Sequence, residues 1–291
     1  MRIEDLYTTS QDGLKLHARL WSAAGPERVP LVCLPGVSRT AEDFADIAAV
    51  IAGGERPRPV YALDYRGRGL SDYDPNWRNY DVKVELSDIL DQMTALGIEE
   101  AIVFGTSRGG LIAMLIAMMR PAALRGVILN DIGPIINGKG LIRIKSYVGK
   151  LPQPRSFEEG AAILRRIGDS QFPALGESGW LTFARRTWIE RAGVLRPAYD
   201  VNLMRTFDLI DLEAPLPELW PQFEALRAYP VLVLRGAHSD ILSPETALEM
   251  TRRHPDCTLH EVPFEGHAPM LMDAPTQGVI AEFVARAGRS R

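Results

Sequence analysis

The amino-acid sequence predicts an α/β protein with a mostly parallel sheet that carries helices on both faces. Short, continuously apolar runs of the kind that form buried parallel strands recur along the chain, and helical patterns follow most of them. This alternation is typical of right-handed β-α-β crossovers. The length of 291 residues suits one such core with an inserted segment.

The elements can be assigned in chain order. Residues 5–10 and 14–22 are predicted to form a hairpin, because an Asp-Gly turn separates them. Buried strands are predicted at 29–34, 60–64, 101–104, 124–129, 231–234 and 258–262. Helices are predicted over 41–52, 81–96, 111–119 and from about 274 to 287.

The alternation of strands and helices stops from 135 to about 221. This stretch contains amphipathic helical patches and repeated prolines instead of buried strands. We interpret 135–221 as a helical cap on an α/β core formed by 1–134 and 222–291. Most of its large side chains are expected to form a small core of their own. Three aromatic side chains are candidates for an apolar substrate pocket: Trp180, Trp188 and Phe207.

The segment 105–110 carries the pattern G-x-S-x-G between a predicted strand and a predicted helix. This context is typical of a nucleophile elbow, in which a sharp turn holds a serine hydroxyl above the sheet. Glycines are needed on both sides because strand and helix come close together. Ser107 is therefore predicted to be a nucleophile. The N–H group of Arg108, at the start of the helix, is placed to stabilise developing negative charge.

The loop at 35–39 follows a predicted central strand. Ligand chemistry in open α/β sheets collects at the carboxyl ends of the strands. The N–H group of Val37 is therefore expected to meet that of Arg108, and the two would form an oxyanion hole. The glycine- and arginine-rich loop at 64–71 matches neither a phosphate-binding nor a dinucleotide-binding pattern, so it is interpreted as a structural loop beside the site.

Two further residues after predicted strands complete a catalytic set. A serine hydroxyl needs a base, and a histidine can serve if a carboxylate fixes its tautomer. His267 is predicted to be the base. Asp240 is favoured as the carboxylate, and Asp131 is the alternative because it also follows a strand.

These motifs together resemble the α/β-hydrolase superfamily over essentially the whole chain. The resemblance lies in 34–37, 64–71, 105–110, Asp240 and 266–267. It implies a Ser-His-Asp triad, a backbone oxyanion hole, an eight-stranded sheet with the cap between its sixth and seventh strands, and no cofactor. The serine at the elbow argues against the haloalkane dehalogenase and epoxide hydrolase branches, which have aspartate there.

The predicted function is hydrolysis of a small carboxylic ester, lactone or thioester through an acyl-enzyme. Two alternatives remain open at this stage. The first is a carbon–carbon bond hydrolase that acts on a diketone-like ring-cleavage product, an activity implied by the resemblance to several capped members of the superfamily. A non-catalytic receptor for a small ligand is also compatible with the fold.

Composition narrows the classes of partner. The formal net charge of −4 offers no basic excess for nucleic acid, and no apolar run is long enough to span a membrane. We therefore expect a cytoplasmic protein that acts on a small apolar acyl or aryl substrate. The two cysteines and the spacing of the histidines match no metal site. The oligomeric state is not readable from the sequence.

Overall fold

The structure is a computed structural model that describes residues 1–24, 28–211 and 214–289. It confirms the α/β class. The strands of the described residues are β1 (Ile3–Thr9), β2 (Lys15–Trp21), β3 (Leu31–Leu34), β4 (Val60–Leu63), β5 (Ala101–Thr106), β6 (Leu124–Asn130), β7 (Trp188–Arg191), β8 (Val194–Pro197), β9 (Val231–Gly236) and β10 (Cys257–Val262).

Eight of these strands form one sheet in the order β1-β2-β4-β3-β5-β6-β9-β10. The β1–β2 hairpin is antiparallel and joins the sheet through an antiparallel pairing of β2 with β4. The pairings from β4 to β10 are parallel. The carboxyl ends of β3, β5, β6, β9 and β10 therefore lie at one edge of the sheet, where binding sites of such sheets are found.

Helices cover both faces of this sheet, as predicted. The α-helices of the described residues are α1 (Ala45–Gly53), α2 (Val82–Ala95), α3 (Arg108–Met119), α4 (Gly138–Tyr147), α5 (Phe157–Gly168), α6 (Glu177–Thr187), α7 (Trp220–Glu224), α8 (Pro244–Arg253) and α9 (Ala274–Ala287). Side chains of α2, α3 and α8 pack in one core, and those of α1 and α9 pack in the other. None of the helices described here has the length and apolarity that crossing a membrane requires.

The segment between β6 and β9 contains α4, α5, α6, a β7–β8 hairpin and a 3₁₀ helix at Val201–Leu209. It lies between the sixth and seventh strands of the large sheet and has its own apolar cluster. Residues 212–213 of the predicted cap lie outside the described residues. The hairpin differs from the purely helical expectation. Its turn places Ala192 and Gly193 at positive φ without the Asn-Gly or Asp-Gly pair that signals such turns.

Candidate active site

Ser107 lies at a sharp turn between β5 and α3. Its backbone has a φ of 50° and a ψ of −110°, a conformation rarely adopted by residues other than glycine. A Cβ atom on Gly105 would meet the backbone of Gly109, and one on Gly109 would meet the backbone of Leu34. The two glycines are therefore required by the close approach of strand and helix. The local sequence forms the predicted elbow.

One chain of hydrogen bonds connects Ser107, His267 and Asp131. The Nε2 atom of His267 lies 2.9 Å from Ser107 Oγ, and its Nδ1 atom lies 2.8 Å from Asp131 Oδ2. The His267 side chain is 6% exposed and that of Asp131 is fully buried. A carboxylate only accepts hydrogen bonds, so these contacts assign the proton to Nδ1 and leave Nε2 free to accept the serine proton.

The carboxylate of Asp131 is held by donors from the loop that follows β9. Its Oδ1 atom accepts the N–H group of Gly236 at 2.9 Å, and its Oδ2 atom also accepts the hydroxyl of Ser239. Three charge-assisted hydrogen bonds, counting that from His267, fix its orientation. The carboxylate of Asp131 is thus held in one orientation beside the imidazole of His267.

The expected pairing of His267 with Asp240 is wrong in this structure. Asp240 receives two hydrogen bonds from Arg143 on α4, from Nη2 at 2.9 Å and from Nε at 2.5 Å. Burial would raise the pKa of Asp240, but Arg143 outweighs it and lowers this pKa. The side chain of Ser239 lies beside Asp131. The next residue, Asp240, instead contacts Arg143 of the inserted segment. Asp240 links that segment to the core.

The two residues expected to form the oxyanion hole lie on either side of the elbow. Val37 lines the cavity beside Ser107, and Arg108 is the first residue of α3. Neither backbone N–H group has an acceptor among the described residues. At a helix N-terminus such free groups are the ordinary anion-binding element.

A buried ion-pair network supports both of these residues. The guanidinium of Arg68 donates from Nε to the carbonyl of Val37 at 2.9 Å and pairs with Glu85 at 2.8 Å. Glu85 also receives Arg108 Nε, and Arg108 Nη2 donates to the carbonyl of Tyr80 at 2.8 Å. Sequence reasoning identified the loop of Arg68 as structural but missed Glu85, because a single glutamate within a helical pattern carries no signal.

The cavity beside Ser107 has a volume of about 100 Å³. Its walls come from the loops at the strand ends and from the inserted segment. The inserted segment contributes Ile144, Tyr147, Val148, Phe172, Phe183 and Arg186. An engineered apolar cavity of roughly 150 Å³ binds benzene, so this volume fits a smaller group.

The aromatic residues expected to line the pocket lie elsewhere. Trp180 and Trp188 are 2% and 1% exposed and belong to the small core of the inserted segment, whereas Phe207 packs in the main core. None of them lines the cavity beside Ser107. The tentative assignment is therefore wrong. Trp180 stacks on Phe183, which does line the cavity, so it supports the wall from behind.

The loop that carries His267 is also fixed by the inserted segment. Gln171, between α5 and α6, accepts the backbone N–H of His267 through its Oε1 atom at 3.0 Å. A Cβ atom on Gly266 would meet the Gln171 side chain, so only glycine allows this approach. The sequence carried no signal for Gln171, because the contact depends on how the inserted helices pack.

Glu265 lies two residues before His267 and has a perturbed acidity. Burial raises the pKa of its carboxyl to about 7, although the N–H group of Met270 donates to it at 2.6 Å and opposes that rise. Asp273 contributes a further rise. The loop around His267 thus contains a group that titrates near neutral pH.

The described part of the chain contains no cluster of three or more His, Cys, Asp and Glu side chains that could hold a metal ion. The arrangement can perform chemistry that needs a nucleophilic hydroxyl, a base and two backbone donors for an oxyanion.

Comparisons with known proteins show which family this chain resembles. Residues 31–282 match the alpha/beta hydrolase family. A 3-hydroxybutyrate-oligomer hydrolase of Cupriavidus necator is 36% identical over 90% of this chain and 89% of its own length. An esterase of Mycobacterium tuberculosis is 25% identical over 82% of this chain and 75% of its own.

Solved structures extend the likeness to three dimensions. The crystal structure of an alpha/beta hydrolase from Novosphingobium aromaticivorans has a TM-score of 0.88 and 36% identity, and the match covers 98% of both chains. The family match covers well over half of the sequence, and these relatives align along almost the entire chain. The chain belongs to the alpha/beta hydrolase family.

Proposed function

We propose that this protein is a serine hydrolase that cleaves a small carboxylic ester through an acyl-enzyme. The observation that carries the proposal is the position of His267, with Nε2 at 2.9 Å from Ser107 Oγ and Nδ1 at 2.8 Å from Asp131 Oδ2. A serine at a strained strand-to-helix turn, hydrogen-bonded to an oriented imidazole, is the arrangement that activates a hydroxyl for acyl transfer.

In the proposed reaction His267 Nε2 accepts the proton of Ser107 as Oγ attacks the ester carbonyl. The carbonyl oxygen becomes an oxyanion and accepts the backbone N–H groups of Val37 and Arg108. The imidazolium then gives its proton to the departing alkoxide, which leaves as the alcohol. The products of this half-reaction are an acyl-Ser107 ester and a neutral imidazole.

Water completes the second half-reaction. His267 accepts a proton from the attacking water, a second oxyanion forms in the same hole, and Ser107 leaves after regaining its proton. Asp131 remains ionised throughout and stabilises the imidazolium. All steps use side chains and backbone groups of this chain together with water.

The relatives and the cavity support an ester with short acyl units. The Cupriavidus necator relative is named as a hydrolase of 3-hydroxybutyrate oligomers, which are chains of short ester units. A cavity of about 100 Å³ fits a group of that size. We propose short hydroxyacyl esters as the first substrates to test.

The test is covalent labelling together with turnover. A fluorophosphonate should add once to the wild type by intact-mass analysis, and wild type should hydrolyse p-nitrophenyl butyrate and the 3-hydroxybutyrate dimer. Ser107→Ala should take up no label and should lose turnover by at least about a thousandfold.

The control is Ser178→Ala, which removes an exposed hydroxyl on α6. This variant should be labelled and should turn over substrate as the wild type does. Labelling of Ser107→Ala at the wild-type rate, or a wild type that neither labels nor hydrolyses any ester, would contradict the proposed function.

A further inference from the structure

Two arginines lie among the residues that line the cavity beside Ser107. Arg39 comes from the loop after β3, and Arg186 comes from the end of α6. The lining also contains the carboxylate of Asp43 and the imidazole of His267. A purely apolar acyl pocket has no use for a guanidinium, because burial of a charge costs free energy unless it is paired.

The hydrogen bonds of Arg39 are taken up by the protein itself. Its Nε and Nη2 atoms both donate to the carboxylate of Asp43, and its Nη1 atom donates to Thr187 Oγ1 at 3.0 Å. Its guanidinium also lies 4.7 Å from the centre of the Phe183 ring. Arg39 therefore connects the loop after β3 to α6, and the carboxylate of Asp43 balances its charge.

Arg186 is bound in a different way. Only its Nη2 atom has a protein acceptor within the described ranges, the carboxylate of Asp46 at 2.7 Å. The Asp46 side chain is 46% exposed, so water screens this pair. Arg186 itself is 7% exposed and lines the cavity. Its Nε and Nη1 atoms are not among the fully buried atoms that lack a hydrogen-bond partner, so they keep some accessible surface. It thus has donors for a molecule in the cavity.

We infer that the ester substrate carries a carboxylate and that Arg186 binds it. Nη1 and Nε of Arg186 remain available as donors, and a hydrogen bond from a charged guanidinium to a carboxylate is stronger than one between neutral groups. The inference rests on the proposed function and narrows its substrate class to esters whose acid or alcohol part ends in a free carboxylate. Arg186 is then a specificity-determining residue.

The test compares two esters of the same size. One is the 3-hydroxybutyrate dimer, which ends in a carboxylate, and the other is its primary carboxamide, which is neutral. Chromatography of the products gives kcat/KM for cleavage of the internal ester in each compound. The wild type should prefer the acid by about ten- to a hundredfold, the range expected for hydrogen bonds to a charged group. The preference should fall as NaCl is raised from about 0.05 to 0.5 M, because salt screens the attraction.

Arg186→Gln should bring the acid-to-amide ratio close to one, mainly through a higher KM for the acid. Arg186→Lys keeps the charge but loses the planar guanidinium and its fixed donor directions, so its ratio should be intermediate. The matched control is Arg185→Gln, which removes the same charge from the exposed neighbouring position of α6 and should keep the wild-type ratio.

Three results would separate the possible failures. If wild type hydrolyses both dimers with a ratio near one, the inference is overturned. The same holds if Arg186→Gln lowers kcat/KM for both dimers equally, since Arg186 would then only link α6 to Asp46. If wild type hydrolyses no ester and takes up no fluorophosphonate, the proposed function itself fails, and the inference fails with it.

Discussion

His267 is hydrogen-bonded to Asp131 and not to Asp240, so the carboxylate beside the histidine follows β6, the strand adjacent to that of Ser107. The loop after β9 still takes part. It supplies Ser239 and the N–H group of Gly236 to Asp131. The loop after β9, which contains Asp240, therefore supplies the hydrogen-bond donors that orient Asp131.

This relationship ranks the two aspartates. Asp131→Asn should lower kcat by about a thousandfold or more, because an amide at this position favours the wrong tautomer of His267. Asp240→Asn should lower it by less than about tenfold, since it only weakens the pairing with Arg143. Steady-state kinetics on p-nitrophenyl butyrate with folded variants, checked by circular dichroism, measure both effects. A larger loss of kcat in Asp240→Asn would identify Asp240, and not Asp131, as the carboxylate that orients His267.

Gln171 should act as a positioning residue for His267. Gln171→Met removes the acceptor of the His267 N–H group at similar side-chain length, so kcat should fall by about tenfold with little change in KM. Gln171→Glu keeps an acceptor and should retain more activity. Equal losses of kcat in the two variants would show that Gln171 does not position His267 through this acceptor.

Some parts of this site were predictable from local sequence and others were not. Ser107 and its glycines form a contiguous motif whose backbone geometry depends only on neighbouring residues. The position of His267 followed from its place after the last strand. The choice between Asp131 and Asp240 depended on the direction in which the loop after β9 turns, and both residues follow parallel strands.

The lining of the cavity was least predictable. Phe183 and Trp180 lie three residues apart on α6, yet one lines the cavity and the other is buried behind it. Which face of a short amphipathic helix meets the site depends on how the inserted helices pack together. Composition can therefore indicate that aromatic side chains surround a pocket, but it cannot assign them.

Glu265 should make stability depend on pH. Its pKa of about 7 in the folded protein lies above the ordinary value of 4.5. A carboxyl with a raised folded pKa contributes stability that is complete below the unfolded pKa and is lost as pH rises through the folded pKa. The wild type should therefore lose up to about 3 kcal/mol of unfolding free energy, relative to Glu265→Gln, between about pH 4.5 and 7.5.

Urea unfolding of the two proteins across this pH range measures that difference. Glu282→Gln, which changes an exposed carboxylate on α9, is the control and should follow the wild type at every pH. Parallel pH dependences for wild type and Glu265→Gln would show that Glu265 does not titrate in this window.

The inserted segment should make the protein a small-substrate hydrolase that does not act on long-chain lipid. The cavity beside Ser107 measures about 100 Å³ and is walled by apolar side chains such as Ile144 and Phe183. Burial of apolar surface contributes about 25 cal/mol per Å², so kcat/KM should rise from acetyl to about butyryl or hexanoyl esters while the chain still fits. It should fall by palmitoyl, and no jump in rate should appear above the critical micelle concentration of the substrate.

A variant of the wall tests the cause of this limit. Phe183→Ala enlarges the cavity and should shift the optimum towards longer acyl chains, whereas Leu209→Ala, at a 71% exposed position of the inserted segment, should leave the optimum unchanged. The shift is expected because truncation of this partly buried phenyl group leaves space that an acyl chain can fill. Rates on p-nitrophenyl esters of increasing chain length measure it. A steady rise through palmitoyl in the wild type, or activation at a lipid interface, would show that the inserted segment does not close the site.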